Sequence, residues 1–224
     1  MNFTTLQARV AERCGLTSTD ASIGSANTGA VANLVNAALR TIEVDYPQGW
    51  DWLRTHGFVN TVSGTETYTF ATISTALLMT DISKIVSVSI KSPSGQGHIP
   101  LERISRAEAQ QLYPATTSSG PAVCWIEGRT LGLRPAPDGV YQLLVTAIKT
   151  EVDLVDGANT PAMPSSYHDA IVEKAAELHY RRVHDLPNAA AAAGAYKDWR
   201  MRMLSHQRPY VGPGAVRARS GSWG

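Results

Sequence analysis

The chain has 224 residues, long enough to hide roughly 70% of its unfolded surface on folding. A hydrophobic share of 43% and a charged share of 17% exclude an intrinsically disordered chain. The formal net charge of +1 excludes a global attraction to polyanions, so an acidic partner must be met by local clusters of cations. Cys14 and Cys124 stand far apart in unlike surroundings and read as two small buried thiols in a reducing compartment, with a single disulfide left open. Met1-Asn2-Phe3-Thr4-Thr5 has no basic stretch leading into an apolar core, and no uncharged apolar run reaches transmembrane length. The expectation is a chain made and kept in cytoplasm, or in something assembled there.

In chain order, Phe3, Leu6, Val10 and Cys14 recur at helical spacing, with Thr4 or Thr5 as the N-cap and Gly15 as the stop. Residues 17–29 are rich in Ser, Thr, Gly, Asp and Asn and predict a loop. A second helix is expected from Asn27 or Thr28 to Tyr46, with Val31, Leu34, Val35, Ala38 and Ile42 as its stripe and Pro47 ending it. Trp50 and Trp52 follow. They could stack on a base or sugar, but they read better as anchors of the junction beyond the helices.

The pattern then changes. Phe58–Val62, Ser63-Gly64 and Thr67–Phe70 predict a hairpin, and Lys84–Ile90 alternates as a strand before the turn at 92–97 and His98–Leu101. Ser105-Arg106-Ala107-Glu108 forms a capping box for a short helix ending at Tyr113. Ala122–Ile126 and Thr130–Leu133 predict a second hairpin, and Pro135–Gly139 turns the chain into a long strand from Val140 to Ile148. About six or seven short strands at such spacing predict an antiparallel sandwich or barrel.

Helices resume after Pro161 and Pro164. Ser165 or Ser166 is expected to cap a third, with Tyr167, Ile171, Val172, Ala175 and Leu178 inward. A fourth starts near Asn188 with Ala189, Ala192, Tyr196, Trp199 and Met203 as its stripe. The expected fold is therefore α+β: a four-helix bundle from 1–56 and 151–206, a β-sandwich or barrel insert at 57–150, and an extended tail at 207–224.

No chemistry-bearing constellation emerges. His168, Asp169, Glu173, Glu177, His179 and His184 invite a metal reading, but without a Glu-x-x-His pair they read as a solvated face. Ser166, His168 and Asp169 are neighbours whose side chains a helix would point apart, and no Gly-x-Ser-x-Gly elbow occurs. Gly128–Gly132 and the 92–97 turn lack the Lys-Ser/Thr ending of a phosphate loop. No catalysis, metal or cofactor is expected.

Positive charge gathers late in the chain: Arg181 and Arg182 form one basic spot, and Lys197, Arg200, Arg202, Arg208, Arg217 and Arg219 stand at the end against a single acid, Asp198. Such a strip could meet phosphates or an acidic protein surface, because Coulombic attraction does not identify the polymer. Pro209, Tyr210, Val211 and Trp223 add apolar anchors, and Gly212-Pro213-Gly214 blocks helix, as suits a docking segment. A ligand- or carbohydrate-binding β module on a helical stalk is the alternative from a different class. A nucleic-acid-binding protein using its basic C-terminus is another.

Four clusters carry a resemblance: Trp50-Asp51-Trp52-Leu53, Leu131-Gly132-Leu133-Arg134-Pro135-Ala136-Pro137, Pro161-Ala162-Met163-Pro164 before Tyr167-His168-Asp169-Ala170-Ile171, and Tyr196–Leu204. In this order of helices, β insert, helices and basic tail the chain resembles the head-to-tail adaptor (connector) proteins of tailed bacteriophages. The resemblance implies a structural virion protein at the head–tail interface, assembled in host cytoplasm. It implies a ring of about twelve copies around the DNA channel. The β insert would face outward or down toward a tail or nozzle protein, packaged DNA would be touched non-specifically at most, and no membrane is involved. The tail would bind the portal protein through Arg208, Pro209, Tyr210, Val211, Arg217, Arg219 and Trp223.

Overall fold

The computed structural model describes residues 1–16, 25–79, 81–92, 97–114 and 117–207. Among them the fold is α+β, with six α-helices and two four-stranded sheets. The chain divides into two compact units, one of Met1–Leu53 with the chain from Glu151, the other of Arg54–Thr150.

In the first unit, α1 (Phe3–Arg13) buries Phe3, Leu6 and Val10 along one stripe. Its cap is Asn2, whose side-chain oxygen accepts from Thr5 N–H at 2.9 Å, because Thr4 and Thr5 already lie in the first turn. Gly15 takes φ +67° just past the end, where a side chain would be strained. Helix α2 (Ser25–Val44) begins and ends about two residues earlier than its sequence suggests. It buries Val31, Val35, Ala38, Leu39 and Ile42. Leu34 is only half-buried, since the 3.6-residue period carries it to the shoulder of that stripe.

After a 3₁₀ turn at Ser165–Tyr167 come α5 (His168–Arg182) and α6 (Leu186–His206). Neither Ser165 nor Ser166 caps; the turn hands over directly into α5. Asp185 caps α6 by accepting from Asn188 N–H, with Pro187 in the first turn where its missing N–H costs nothing. Helices α1, α2 and α6 all pack on α5. Asn36 ties the 151–160 segment to α2: its amide donates to Leu154 O at 3.1 Å and accepts from Leu154 N–H at 2.9 Å.

The second unit runs β1 (Arg54–Asn60), β2 (Thr67–Thr69), α3 (Phe70–Ala76), β3 (Ile82–Lys91), β4 (His98–Pro100), β5 (Glu102–Arg103), α4 (Arg106–Leu112), β6 (Val123–Glu127), β7 (Thr130–Arg134) and β8 (Gln142–Lys149). The sheet orders are β1-β8-β3-β4 and β2-β7-β6-β5. Three expectations need correction. The 58–70 hairpin does not form: β1 pairs with β8 along its whole length, and β2 pairs with β7 in the other sheet. Long β8 offers β1 seven partners, whereas β2 has only three residues before Thr69 caps α3. The strands are not all antiparallel, because β5 and β6 are joined by a crossover through α4 and pair in parallel. Neither sheet closes on itself, so the barrel alternative falls; among the described residues the strands number eight.

The core of this unit follows from strand alternation. Leu143, Val145 and Ala147 of β8 point inward with Val59, Val88 and Ile90, and they join Tyr68, Cys124, Leu131 and Leu133 of the other sheet. Phe70 and Ile73 of α3 add to the same cluster. Val123 and Trp125 pack with Ala109 of α4 in a second cluster, so Trp125 faces protein as its apolar neighbours suggest. Ser105 caps α4 by accepting from Glu108 N–H at 3.2 Å.

Gly132 lies directly under the Trp125 ring, where an added Cβ would come within 2.0 Å of Cε2. Gly132→Ala is therefore expected to destabilise the chain by about 1–3 kcal/mol through overpacking. Urea unfolding followed by tryptophan fluorescence checks this; an unchanged midpoint contradicts the packing.

Candidate functional site

Helix α5 carries five of the six polar residues that the sequence marks out, and two of them leave the expected solvated face for the interior, whereas His184 lies exposed beyond the helix end. His168 and Glu177 are 2% and 5% exposed. With α1, α2 and α6 all packed against α5, most of its circumference meets protein rather than water. His168 Nε2–H donates to Met163 O at 2.9 Å, which leaves Nδ1 to accept from the Met1 amine at 2.7 Å. Asp169 pairs with Arg9 at 2.6 Å, and Glu173 accepts from Arg13 Nε and Nη2 at 3.0 and 3.1 Å. Glu177 is held by Lys174 at 3.0 Å and Arg181 at 2.7 Å.

This partnering decides what the residues can do. Ser166, His168 and Asp169 go their separate ways, so the imidazole has neither a nucleophile nor an orienting carboxylate. Glu173 and Glu177 are each engaged by different cations rather than by each other. Among the described residues no three His, Cys, Asp or Glu side chains converge on a common point. Burial pushes the Cys14 and Cys124 thiols up to about 11, far from a reactive thiolate. Gly128–Gly132 spans the two-residue β6–β7 turn at Gly128-Arg129 and the start of β7, with Arg129 paired to Asp81 and stacked over the Phe70 ring.

A second constellation lies in the same unit and was only half visible in the sequence. Tyr46, Trp50, Trp52, Tyr167 and His206 form a ladder of rings with centroid spacings of 5.1, 4.6, 6.2 and 6.1 Å. Trp50 is fully buried and its indole N–H donates to Ile42 O at 2.6 Å, so it is packed on the end of α2 rather than offered to a base or sugar. At the far end Gln207 Oε1 accepts from Asp51 N–H at 2.9 Å. That pair of residues has no motif in sequence; it exists because α6 ends beside Asp51. Tyr196 donates to Asp45, and Arg200 Nη2 donates to Asp45 O at 3.2 Å, fixing α6 on the end of α2. Burial, then the Asp45 carboxylate, holds the Tyr196 hydroxyl well above its ordinary pKa.

Of the late cations, Arg181 and Arg200 are thus engaged within the fold, and Arg202 stacks on Trp199 at 4.9 Å. The proposed docking residues Arg208, Pro209, Tyr210, Val211, Arg217, Arg219 and Trp223 lie outside the described residues. Their starting point is inside them: Gln207 is fastened to Asp51 at the end of the ladder.

The family model described as SU10 adaptor protein matches residues 1–219. No curated protein matches the chain.

Two measurements probe this packing. Trp50→Phe removes the indole bond to Ile42 O, which keeps only the longer bond from Asp45 N–H at 3.2 Å, and leaves space where the larger ring was buried, which should cost about 1–3 kcal/mol in urea unfolding. The second concerns His168, whose pKa burial lowers from 6.5, aided by the Met1 amine and opposed by the Met163 bond. A lowered folded pKa means that the unfolded chain binds the extra proton. The contribution is complete above the unfolded value and is lost as pH falls below it toward the folded value. Unfolding free energy should therefore drop as pH falls through 6.5, the ordinary imidazole value, and His168→Gln should flatten that slope. His179, also lowered by burial and Arg182, supplies the part that remains.

Proposed function

The chain belongs to the SU10 adaptor family, and we infer from that membership that it is a structural, non-enzymatic virion protein joining the portal of a tailed-phage capsid to the tail. The carrying observation is a single family match that runs through the elements of both units. In this reading α1, α2, α5 and α6 serve as a four-helix bundle, and the two sheets serve as a sandwich inserted between its halves. About twelve copies form a ring that continues the DNA channel. Each copy meets its neighbours, the portal protein on one side and a tail or nozzle protein on the other. DNA passes without sequence-specific contact, and assembly takes place in host cytoplasm.

The portal contact is assigned to the tail at 207–224. Arg208, Arg217 and Arg219 would meet acidic portal surface, and Pro209, Tyr210, Val211 and Trp223 would seat in apolar pockets. Support comes from Gln207, since a segment that departs from a fastened residue loses less freedom on docking. The carbohydrate-module alternative would want Trp125 on the surface, and it is buried.

Deleting residues 208–224 should leave a chain that unfolds at the same urea midpoint yet no longer joins portal-containing heads. Particle mass in solution, alone and mixed with portal, reads the ring and the contact separately. Normal incorporation of the truncated chain into heads would sink the tail assignment.

A further inference from the structure

We propose that the free edge of β1 is the surface through which two copies of this chain pair in solution, strand against antiparallel strand, with Phe58 on the two-fold axis. A sheet edge is a template for a further strand unless it is short, broken or charged. Three of the four edges here are blunted. Strand β4 has three residues and ends in Pro100, β5 has two, and β2 has three before Thr69 caps α3. Strand β1 is the exception. It keeps seven residues in unbroken register with β8, without proline or bulge, and Arg54 is its only Arg, Lys, Asp or Glu.

The hydrogen-bond pattern decides which groups face out. Thr61 N–H donates to Tyr141 O at 2.8 Å, continuing the ladder with β8 one residue past Asn60. Antiparallel pairing alternates, so Val59, Gly57 and Thr55 also turn their backbone groups toward β8. His56, Phe58 and Asn60 turn theirs outward, and all three residues are exposed. Among the described residues, the backbone N–H and C=O groups of these three have no protein partner. Helix α3 touches both β1 and β3, on either side of β8, so it lies under the sheet and leaves the edge open.

This edge is complementary to itself. Arg54 is already engaged within the chain, so the register that serves the other three residues sets Phe58 against Phe58 and His56 against Asn60 of the second copy. Every outward N–H and C=O of the three is then bonded. The two Phe58 rings, each 51% exposed, meet on the outward face as a cross-strand aromatic pair. On the inward face Gly57 falls opposite Val59 of the second copy, so no bulk collides and no like charges are opposed. A charged strand finds nothing between Thr55 and Asn60 to answer it, and an apolar helix would leave the edge groups unbonded. An isologous contact closes at two copies, so the pair is a form of the free chain and stands apart from any ring or portal contact.

The test is sedimentation equilibrium of the full chain over a range of concentrations. So small an interface is of the transient class, and mass should rise from one copy toward two as concentration rises. Phe58→Lys and Phe58→Glu should each weaken pairing about tenfold or more, because like charges then oppose each other across the axis. An equimolar mixture of the two variants should pair again, a rescue that requires residue 58 to face residue 58. Amide exchange gives a second reading in the unaltered chain. The N–H groups of His56, Phe58 and Asn60 should slow as concentration rises, while those of Gly57 and Val59 should not change. A mass of one copy throughout, a rise in mass that Phe58→Lys leaves unchanged, or a mixture that stays unpaired overturns the proposal. So does loss of pairing when residues 208–224 are removed, which would make the tail the strand that fills this edge.

Discussion

A helix with neighbours on several sides must satisfy the polar groups it buries without water, and α5 is in that position. Its His168 and Glu177 are buried. An isolated ionised carboxylate there would be expelled or neutralised, so Glu177 is kept by Lys174 and Arg181 together. His168 meets the same demand differently, staying neutral between one acceptor and one donor. The outer pairs with Arg9 and Arg13 are more exposed, and the Arg9 pair contributes about 1 kcal/mol or less. The packing of α1 and α2 on α5 therefore rests chiefly on apolar side chains such as Leu6, Val10, Val35 and Ile171, all fully buried, with the Arg9 and Arg13 pairs adding to the α1 contact.

The β unit rests on a different constraint, the demand of β8 for two long partners. Its eight residues are flanked by β1 and β3, and each inward side chain from Leu143 to Ala147 is covered. Once β1 is committed to β8, β2 is free to join the other sheet. The two sheets thus share a core that neither could fill alone.

Much of this was legible from residue spacing, and the failures have physical causes. Stripes such as Phe3-Leu6-Val10 and the β6–β7 turn at Gly128 are local, so sequence carries them. Helix α3 was missed because Ala71-Thr72-Ile73-Ser74-Thr75 is rich in residues that favour strands. It forms because Thr69 caps it and Phe70 and Ile73 find the core. The false hairpin at 58–70 came from the same limit: alternation identifies a strand but not which strand it pairs with. His168 and Glu177 looked like surface because a helix cannot announce how many neighbours it will have.

The Gln207–Asp51 bond has a mechanical consequence. Tension on the chain beyond Gln207 would not be borne by the last turn of α6 alone. Part of it passes sideways into the backbone at Asp51, next to a fully buried indole that is bonded to α2. Bonds loaded along their length share strain, whereas a free helix end peels one hydrogen bond at a time. The helical unit is thereby built with a cleat at the point where its chain departs.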